Sequence, residues 1–269
     1  MIRHARRCLL DGLEVLTGKR DRFAPPRRLV EGVGGGDFRQ VGEEFLRYFL
    51  QLGELKPDAR FLDVGCGCGR MAVPLTRYLS KEGGYWGFDI VEEAIVWCQK
   101  HLGAEYRNFQ FSLADVYNKN YHPKGRHQAA HYRFPYQDDF FDFASLTSVF
   151  THMLAADMQN YLREISRVLK PGGRCLITFF LLNEESRTLL DQGLGTLKFP
   201  YAGQDCMLAS QDPPEAAVAF DENFIRQCYA ARGLEILEPV RYGNWCGRKE
   251  ALSYQDILLA AMKREMLAS

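Results

Sequence analysis

The residues best suited to chemistry form the run DVGCGCGR at residues 63–70, in which three glycines alternate with two cysteines between an acid and a base. Phe61, Leu62 and Val64 predict a buried strand leading into this run. Glycine adopts positive φ without strain and has no Cβ, so the backbone of such a turn can approach a ligand closely. We predict a helix over residues 71–80, whose first amides would favour an anionic group. The pattern therefore predicts a cradle for a nucleotide-like cofactor; the alternative is a tight turn without a ligand.

A second acid, Asp89, follows the turn by roughly twenty residues, at the end of a second strand predicted over residues 85–90. An acid at this place binds ribose hydroxyls in dinucleotide folds, and it also serves as a helix cap. Gly69 stands one position earlier than the third glycine of the dinucleotide pattern G-x-G-x-x-G. Asp63 offers nothing to a pyrophosphate, but it suits the ammonium group of a ligand with an amino-acid end. The carboxylate of that ligand would bind to the turn amides and Arg70.

The turn resembles motif I of the class I S-adenosylmethionine-dependent methyltransferases, written D/E-x-G-x-G-x-G. Further segments resemble landmarks of the same family in the same order. They are LADV at 113–116, FPYQDDFFDF at 134–143 before the fourth strand, and LKPGGR at 169–174 before the fifth. Together the segments cover the part of the chain from about residue 40 to about residue 180.

The resemblance implies an α/β fold, namely a Rossmann-like, doubly wound, mostly parallel seven-stranded sheet whose last strand is antiparallel. It implies S-adenosyl-L-methionine as the cofactor. The cofactor-binding residues it implies are Asp63, Gly65, Cys66, Gly67 and Arg70 at the methionine end, Asp89 at the ribose, Ile90, Ala114, Asp115 and Val116 at the adenine, and Thr147 at the end of the fourth strand.

A histidine-rich connection occupies residues 117–133 and carries His122, His127 and His131. Their spacing does not place all three on one helical face, and a proline and a glycine among them favour a loop. We therefore predict no metal site here, but a solvated or substrate-facing loop.

His152 follows the fourth strand, where the resemblance places the methyl-transfer channel. Two roles are open for it. It is the candidate catalytic base, with Tyr201 as a weaker second candidate, or it positions the loop through a hydrogen bond.

Residues 1–37 are predicted to be an N-terminal extension that acts as a lid. Residues 3–16 predict a short amphipathic helix. The basic run at residues 19–28 contains two prolines and is predicted to be extended. The glycines at 34–36 predict a hinge or part of the lid, and Asp37 is predicted to cap the next helix.

Residues 38–269 form the predicted methyltransferase domain. Within it, residues 183–220 are predicted to be an insertion after strand five that caps the substrate, irregular because of its glycines and prolines. The last two strands are predicted within residues 234–240 and 251–261, as an antiparallel hairpin at the sheet edge. Trp245, between them, is predicted near the substrate side or on the surface.

The composition limits the partners. Lys plus Arg and Asp plus Glu number 34 each, so no net charge attracts nucleic acid, and an RNA-modifying enzyme is disfavoured. Eight cysteines without a C-x-x-C motif predict a reduced, cytoplasmic protein. No run approaches the roughly 18 apolar residues of a membrane span, so no membrane partner is expected. The oligomeric state is left open.

We therefore predict a methyltransferase that transfers the methyl group of S-adenosylmethionine to O or N of a small molecule by in-line displacement. A nicotinamide-dependent oxidoreductase would share the turn and Asp89, and a non-catalytic cofactor-binding protein would share the whole site. SVFT at residues 148–151 replaces the Asn/Asp-Pro-Pro-Tyr/Phe signature, which disfavours methylation of amino-nucleobases.

Overall fold

The computed structural model describes residues 22–32, 36–119 and 121–263. The helix predicted at residues 3–16, and most of the glycine cluster at 34–36, lie outside the described residues. The chain divides into two compact units, Met1–Ala114 and Asp115–Ser269.

The first unit contains three parallel strands with helices before and between them. The strands are β1 (Arg60–Val64), β2 (Gly84–Asp89) and β3 (Phe109–Leu113). The helices are α1 (Arg27–Gly32), α2 (Phe38–Gln51), α3 (Ala72–Leu75) and α4 (Glu92–Cys98), and α4 continues into a π-helical turn (Gln99–Gly103). β1 pairs with β2 and β2 with β3, both in parallel, as predicted.

Aromatic side chains set the register of these strands. Phe61, Tyr85 and Phe109 are partners on β1, β2 and β3. Their rings stack, with centroids 5.9 Å apart between the first pair and 5.1 Å between the second. Phe49 of α2 packs edge-on against Phe61 at 5.1 Å. Each pair adds about 0.5–1.5 kcal/mol beyond its burial, and the shared register brings the carboxyl ends of β1 and β2 to one edge.

Helix α2 is amphipathic, and Phe45, Tyr48 and Phe49 lie on its buried face. The side chain of Asp37 accepts a hydrogen bond from the Gln40 amide at 2.7 Å, which confirms the predicted cap.

Gly42 is the contact point of α2 with the turn after β1. A Cβ at this position would lie 2.6 Å from the carbonyl oxygen of Arg70, a backbone atom that cannot rotate away. We expect Gly42→Ala to lower the free energy of unfolding by about 1–3 kcal/mol through overpacking, although alanine is the better helix former. Urea denaturation measures the change. Gly32→Ala in α1 is the control, since no atom lies within 4 Å of its added Cβ. Equal stability of the two variants would contradict the prediction.

The helix predicted over residues 71–80 is wrong in length, because α3 spans only Ala72–Leu75. Beyond it the chain tightens into turns. The amide of Thr76 lies 3.3 Å from the carbonyl of Val73, and the Thr76 hydroxyl bonds to the same carbonyl at 2.7 Å. A helix this short adds little dipole, so the argument from a helix N-terminus does not apply to this turn.

The second unit contributes four further strands to the main sheet and a smaller sheet. Its main-sheet strands are β4 (Phe141–Leu146), β5 (Leu169–Phe179), β10 (Leu234–Ile236) and β11 (Asp256–Met262). Its helices are α5 (Ala155–Val168), α6 (Glu184–Asp191) and α7 (Glu222–Ala231). Short 3₁₀ turns lie at Ala129–His131, Phe150–His152 and Pro214–Ala216.

Seven strands form one sheet in the order β10-β11-β5-β4-β1-β2-β3. β4 and β5 are parallel, while β11 runs antiparallel to both β5 and β10. This is the predicted fold class, with the predicted hairpin at the edge. β5 begins at Leu169, before the Pro-Gly-Gly turn that was expected to precede it. No helix in the described part of the chain is long and apolar enough to cross a membrane.

The segment predicted to be an irregular insertion, residues 183–220, is largely regular. It contains α6, which begins with a capping box at Asn183. It also supplies most of a four-stranded sheet in the order β6-β9-β8-β7. These strands are β6 (Leu181–Leu182), β7 (Tyr201–Ala202), β8 (Cys206–Leu208) and β9 (Val218–Asp221). The glycines and prolines therefore mark the turns between short elements.

Trp245 is fully buried, so the surface position allowed by the sequence is wrong. Its ring packs against Phe180 and Phe199, with centroids 5.1 and 5.6 Å away. It is part of the core beneath the small sheet.

A buried carboxylate, Asp256, anchors this core. It accepts hydrogen bonds from the amides of Leu181 and Gly243 and from the indole of Trp245, each at 2.7 Å. The guanidinium of Arg248 lies 3.4 Å away. One side chain thus joins the start of β6 to the segment before β11.

Burial raises the pKa of Asp256 from 3.8 to about 6, although its hydrogen bonds and Arg248 lower it. The folded protein therefore binds this proton more tightly than the unfolded chain does. The protonated carboxyl contributes to the free energy of unfolding below about pH 4, and this contribution is lost as the pH rises from about 4 to about 6. We expect wild type to lose up to about 3 kcal/mol over this range relative to Asp256→Asn. Urea denaturation of both proteins at several pH values checks this. A difference in free energy of unfolding between the two proteins that does not change with pH would contradict this prediction.

Candidate cofactor site

The glycine turn after β1 uses the backbone freedom that the sequence predicts. Gly65, Gly67 and Gly69 have φ values of 75°, 52° and 81°. At Gly69 an added Cβ would lie 2.8 Å from Cδ1 of Leu102. Side chains other than hydrogen would therefore be strained or crowded in this turn.

Most of the turn amides already have partners within the first unit. The amides of Gly65 and Cys66 donate to the Phe88 carbonyl at 2.9 and 3.1 Å, and the Gly69 amide donates to the Cys66 carbonyl at 3.0 Å. The amide of Gly67 donates to a side chain, Oδ2 of Asp89, at 2.8 Å. These bonds hold the turn against the end of β2. From the sequence we predicted that the turn amides bind the ligand carboxylate. Because most of them are bonded within the protein, the role we now assign to the turn is to let the ligand approach its backbone closely.

Asp89 connects the turn to the next helix. Its other oxygen, Oδ1, accepts a hydrogen bond from the Val91 amide at 2.8 Å, while Val91 itself is the N-cap of α4. Burial raises the pKa of Asp89, and hydrogen bonds from the amides of Val91, Gly67 and Ile90 lower it. A carboxylate has about four acceptor directions, so these three bonds leave about one direction for a ligand hydroxyl.

Asp63 lies beneath the turn and is only 1% exposed. Its Oδ2 accepts a hydrogen bond of 2.5 Å from the hydroxyl of Tyr85. Burial raises the pKa of the Tyr85 hydroxyl, and the neighbouring Asp63 raises it further, so this hydroxyl stays protonated and donates.

The turn cysteines are packing residues. Burial raises the pKa of the Cys66 thiol and of the Cys98 thiol beside the turn. The Cys98 thiol lies 3.7 Å from the Gly67 carbonyl. Protonated, buried thiols of this kind are poor nucleophiles.

In the second unit, Asp115 is held by its own loop. Arg126 pairs with its carboxylate, the Arg126 amide donates to it at 3.1 Å, and Nε2 of His122 lies 3.2 Å away. Arg126 is the main cause that lowers the pKa of Asp115 to about 2. The loop of residues 117–133, predicted to be solvated or substrate-facing, thus folds back on the acid assigned to the adenine. Its neighbours Ala114 and Val116 are buried.

The loop after β4 is fixed by a ring of polar side chains. Ser148 has a left-handed backbone, with φ of 61°. Its amide donates to the Thr178 hydroxyl at 2.8 Å, that hydroxyl donates to Gln255 at 2.6 Å, and Gln255 donates to the Ser148 hydroxyl at 2.9 Å. Among the described residues, the neighbouring Thr147 has a buried hydroxyl without a hydrogen-bond partner. Left-handed strain held by a closed network is common at functional sites.

His152 ends the 3₁₀ turn of this loop. Its Nδ1 lies 3.0 Å from the backbone carbonyl of Glu215. A carbonyl only accepts, so Nδ1 carries the hydrogen and Nε2 is left as the acceptor of the neutral ring. This contact is a hydrogen bond of the kind that the positioning role requires. The base role requires the same tautomer, because Nε2 is then free of hydrogen and can accept a proton.

Comparison with known proteins finds a methyltransferase domain and the same fold. A family model described as a methyltransferase domain matches residues 62–177. A demethylmenaquinone methyltransferase from Bacillus mycoides (strain KBAB4) is 26% identical over 132 residues, which span 48% of this chain and 48% of that protein. The matched region is thus about half the length of that curated relative. The family match covers β1 to most of β5, the strands that carry the glycine turn and the loop after β4.

Residues 62–177 match a methyltransferase domain, and the sheet has the strand order expected of the class I S-adenosylmethionine-dependent methyltransferases.

Solved methyltransferases share the fold at low identity. A SAM-dependent methyltransferase from Methanosarcina mazei has a TM-score of 0.55 at 22% identity, covering 80% of this chain and 98% of that one. A 1,6-didemethyltoxoflavin-N1-methyltransferase from Burkholderia thailandensis, with S-adenosylhomocysteine bound, has a TM-score of 0.51 at 17% identity, covering 82% and 77%.

The methyltransferase site contains residues that the sequence analysis missed. Gln255 and Thr178 stand on β11 and β5 or next to them, yet both bond to Ser148. No local pattern signals such a contact, because Gln255 is 107 positions from Ser148. Within the described part of the chain, no group of three or more His, Cys, Asp or Glu is arranged to hold a metal ion.

Proposed function

We propose that this methyltransferase transfers the methyl group of S-adenosylmethionine to O or N of a small molecule by in-line displacement. The observation that carries the proposal is the bonding of Asp89, which ties the glycine turn to α4 and leaves about one acceptor direction for a ribose hydroxyl. We assign the ribose to Asp89 and the methionine end to Asp63, Arg70 and the turn. The assignments of Ile90, Ala114, Asp115, Val116 and Thr147 follow the family pattern and stay predictions.

The sulfonium makes the methyl group reactive, so the main task of the protein is alignment. Holding two reactants in line can supply roughly 7–11 kcal/mol in well-ordered systems. The comparisons favour this reaction over a nicotinamide-dependent oxidoreductase. We also propose a cytoplasmic setting, supported by the free cysteines in the described residues.

Calorimetry with S-adenosylhomocysteine tests the site. Wild type is expected to bind one equivalent, and Gly67→Trp to bind none. Gly193→Trp is the matched control, because Gly193 also has positive φ (74°) but no atom within 4 Å of an added Cβ. Equal affinity of wild type and Gly67→Trp would reject the cradle. Tight binding without transfer to any acceptor would favour the non-catalytic alternative.

His152 is our candidate base for an acceptor that must lose a proton. We expect His152→Ala to lower turnover by about 100-fold or more. The assay follows formation of S-adenosylhomocysteine with a panel of acceptors that includes demethylmenaquinone and 1,6-didemethyltoxoflavin, the compounds named for two of the similar proteins. His131→Ala, which removes an exposed histidine of the long loop, is the control. Full turnover of His152→Ala at every pH would exclude the base and leave the positioning role.

A further inference from the structure

The ring of hydrogen bonds around Ser148 runs in one direction. The Ser148 amide only donates, and it donates to the hydroxyl oxygen of Thr178 at 2.8 Å. The Thr178 hydroxyl donates to Oε1 of Gln255 at 2.6 Å, and Nε2 of Gln255 donates to the Ser148 hydroxyl oxygen at 2.9 Å. The opposite orientation of the Gln255 amide would leave the proton of the fully buried Thr178 hydroxyl without an acceptor among the described residues. The ring therefore fills one lone pair of the Ser148 hydroxyl and does not use its proton.

The proton of the Ser148 hydroxyl is also not needed by its neighbour Thr151. The hydroxyl of Thr151 is fully buried and lies 3.4 Å from that of Ser148, with either oxygen able to donate. Ordinary O–H···O hydrogen bonds span about 2.5–3.0 Å, so this contact is weak. If Ser148 donated, the Thr151 proton would be left without an acceptor in the described part of the interior. If Thr151 donates, both buried threonine hydroxyls are satisfied, and the surplus proton belongs to Ser148, which is only half-buried.

Ser148 lies where the methyl acceptor is expected. It follows β4 by two residues, at the edge of the sheet where ligands of open α/β sheets bind. The preceding residue, Thr147, is assigned to the cofactor, and the loop continues into the 3₁₀ turn that ends at His152. Because Nδ1 of His152 contacts a backbone carbonyl, its Nε2 is an acceptor. One short loop therefore carries both a hydroxyl donor and a ring acceptor.

We propose that Ser148 donates a hydrogen bond to a carbonyl oxygen of the methyl acceptor, and that Gln255 is the positioning residue that directs its proton outward. This inference rests on the proposed function, and it narrows the substrate to compounds that carry a carbonyl in addition to the O–H or N–H group that is methylated. A carbonyl fits because it only accepts, which matches a hydroxyl whose lone pairs are already used. Ser148 thus determines specificity, while His152 faces the group that loses its proton.

Two probes of similar shape isolate this hydrogen bond. 3-Hydroxyacetophenone has a hydroxyl and a carbonyl oxygen, placed so that they cannot bond to each other, and 3-isopropylphenol has the hydroxyl alone. Each is titrated by calorimetry into the full chain saturated with S-adenosylhomocysteine. Wild type binds 3-hydroxyacetophenone about fivefold more tightly than 3-isopropylphenol, the size expected of one neutral hydrogen bond.

Two variants remove this preference in different ways. Ser148→Gly deletes the hydroxyl and keeps the backbone, because glycine adopts the φ of 61° without strain. Gln255→Glu keeps the shape of the ring, but its carboxylate only accepts, so it turns the Ser148 proton inward. In each variant the two probes bind equally, and the double variant shows no further change, because both substitutions act on the same hydrogen bond. Gln192→Glu, at an exposed glutamine that ends α6, retains the fivefold preference and is the control.

The ratio of the two affinities separates this role from a structural one, since a distorted loop weakens both probes alike. A preference for 3-hydroxyacetophenone that persists in Ser148→Gly or in Gln255→Glu overturns the proposal. Equal binding of the probes to wild type, or no binding of either, also overturns it. Binding of S-adenosylhomocysteine alone is measured for every protein. Its loss in wild type would reject the proposed function itself, whereas its retention with equal probe affinities rejects only the role of Ser148.

Discussion

Replacing Asp89 by asparagine is expected to weaken S-adenosylhomocysteine binding by about a hundredfold. The carboxylate holds the amides of Gly67 and Val91, both at 2.8 Å, and we assign the ribose hydroxyls to the same group. Asparagine keeps one acceptor oxygen but turns an amide donor towards one of these partners. We expect the variant to lose one charge-assisted hydrogen bond to the ribose and one that holds the site in place. At about 1.5 kcal/mol each, this loss corresponds to about a hundredfold in affinity.

Calorimetry measures this change, and the matched control is Asp58→Asn. Asp58 is exposed in the turn before β1 and is assigned no ligand contact. Thermal unfolding of the variant, followed without ligand, separates lost binding from lost structure. A folded Asp89→Asn protein with wild-type affinity would remove Asp89 from the site.

Replacing Asp256 by alanine is expected to have the largest effect on stability. Four donors converge on this fully buried carboxylate, and truncation leaves them without their acceptor. One of them, Arg248, is itself a buried cation. Breaking a buried charged pair by removing one partner costs about 3–5 kcal/mol, and we expect a loss of this size in the free energy of unfolding, measured with urea.

The control for this variant is Asp191→Ala, at the exposed end of α6, which is expected to change stability by less than about 0.5 kcal/mol. Near-ultraviolet circular dichroism, to which Trp245 contributes along with the other two tryptophans, would report loosening of the core around the small sheet. A loss below about 1 kcal/mol in Asp256→Ala would show that the network contributes little.

Local patterns were enough to predict much of the fold. Continuous apolar runs located β1 and β2 to within one residue, because buried strands leave a direct trace in sequence. The alternating glycines predicted positive φ at Gly65, Gly67 and Gly69, since few other residues adopt it. The role of Asp37 as the N-cap of α2 was also predicted from neighbouring residues in the sequence.

The errors arose where distant contacts decide the structure. Trp245 was assigned by its place between two strands, but its burial depends on Phe180, Phe199 and Asp256, which no spacing rule connects. The bond between Gln255 and Ser148 joins residues 107 positions apart. Helix α3 ended early through hydrogen bonds of single side chains and amides, which periodicity does not resolve. Polar networks of this kind are visible only in three dimensions.

A structure of the protein determined with S-adenosylhomocysteine tests the central claim most directly. We predict ribose hydroxyl oxygens at about 2.6–3.2 Å from the carboxylate of Asp89, with the ligand chain passing over Gly65 and Gly67. A ribose bound away from Asp89, or a ligand that leaves the glycine turn uncovered, would contradict the account.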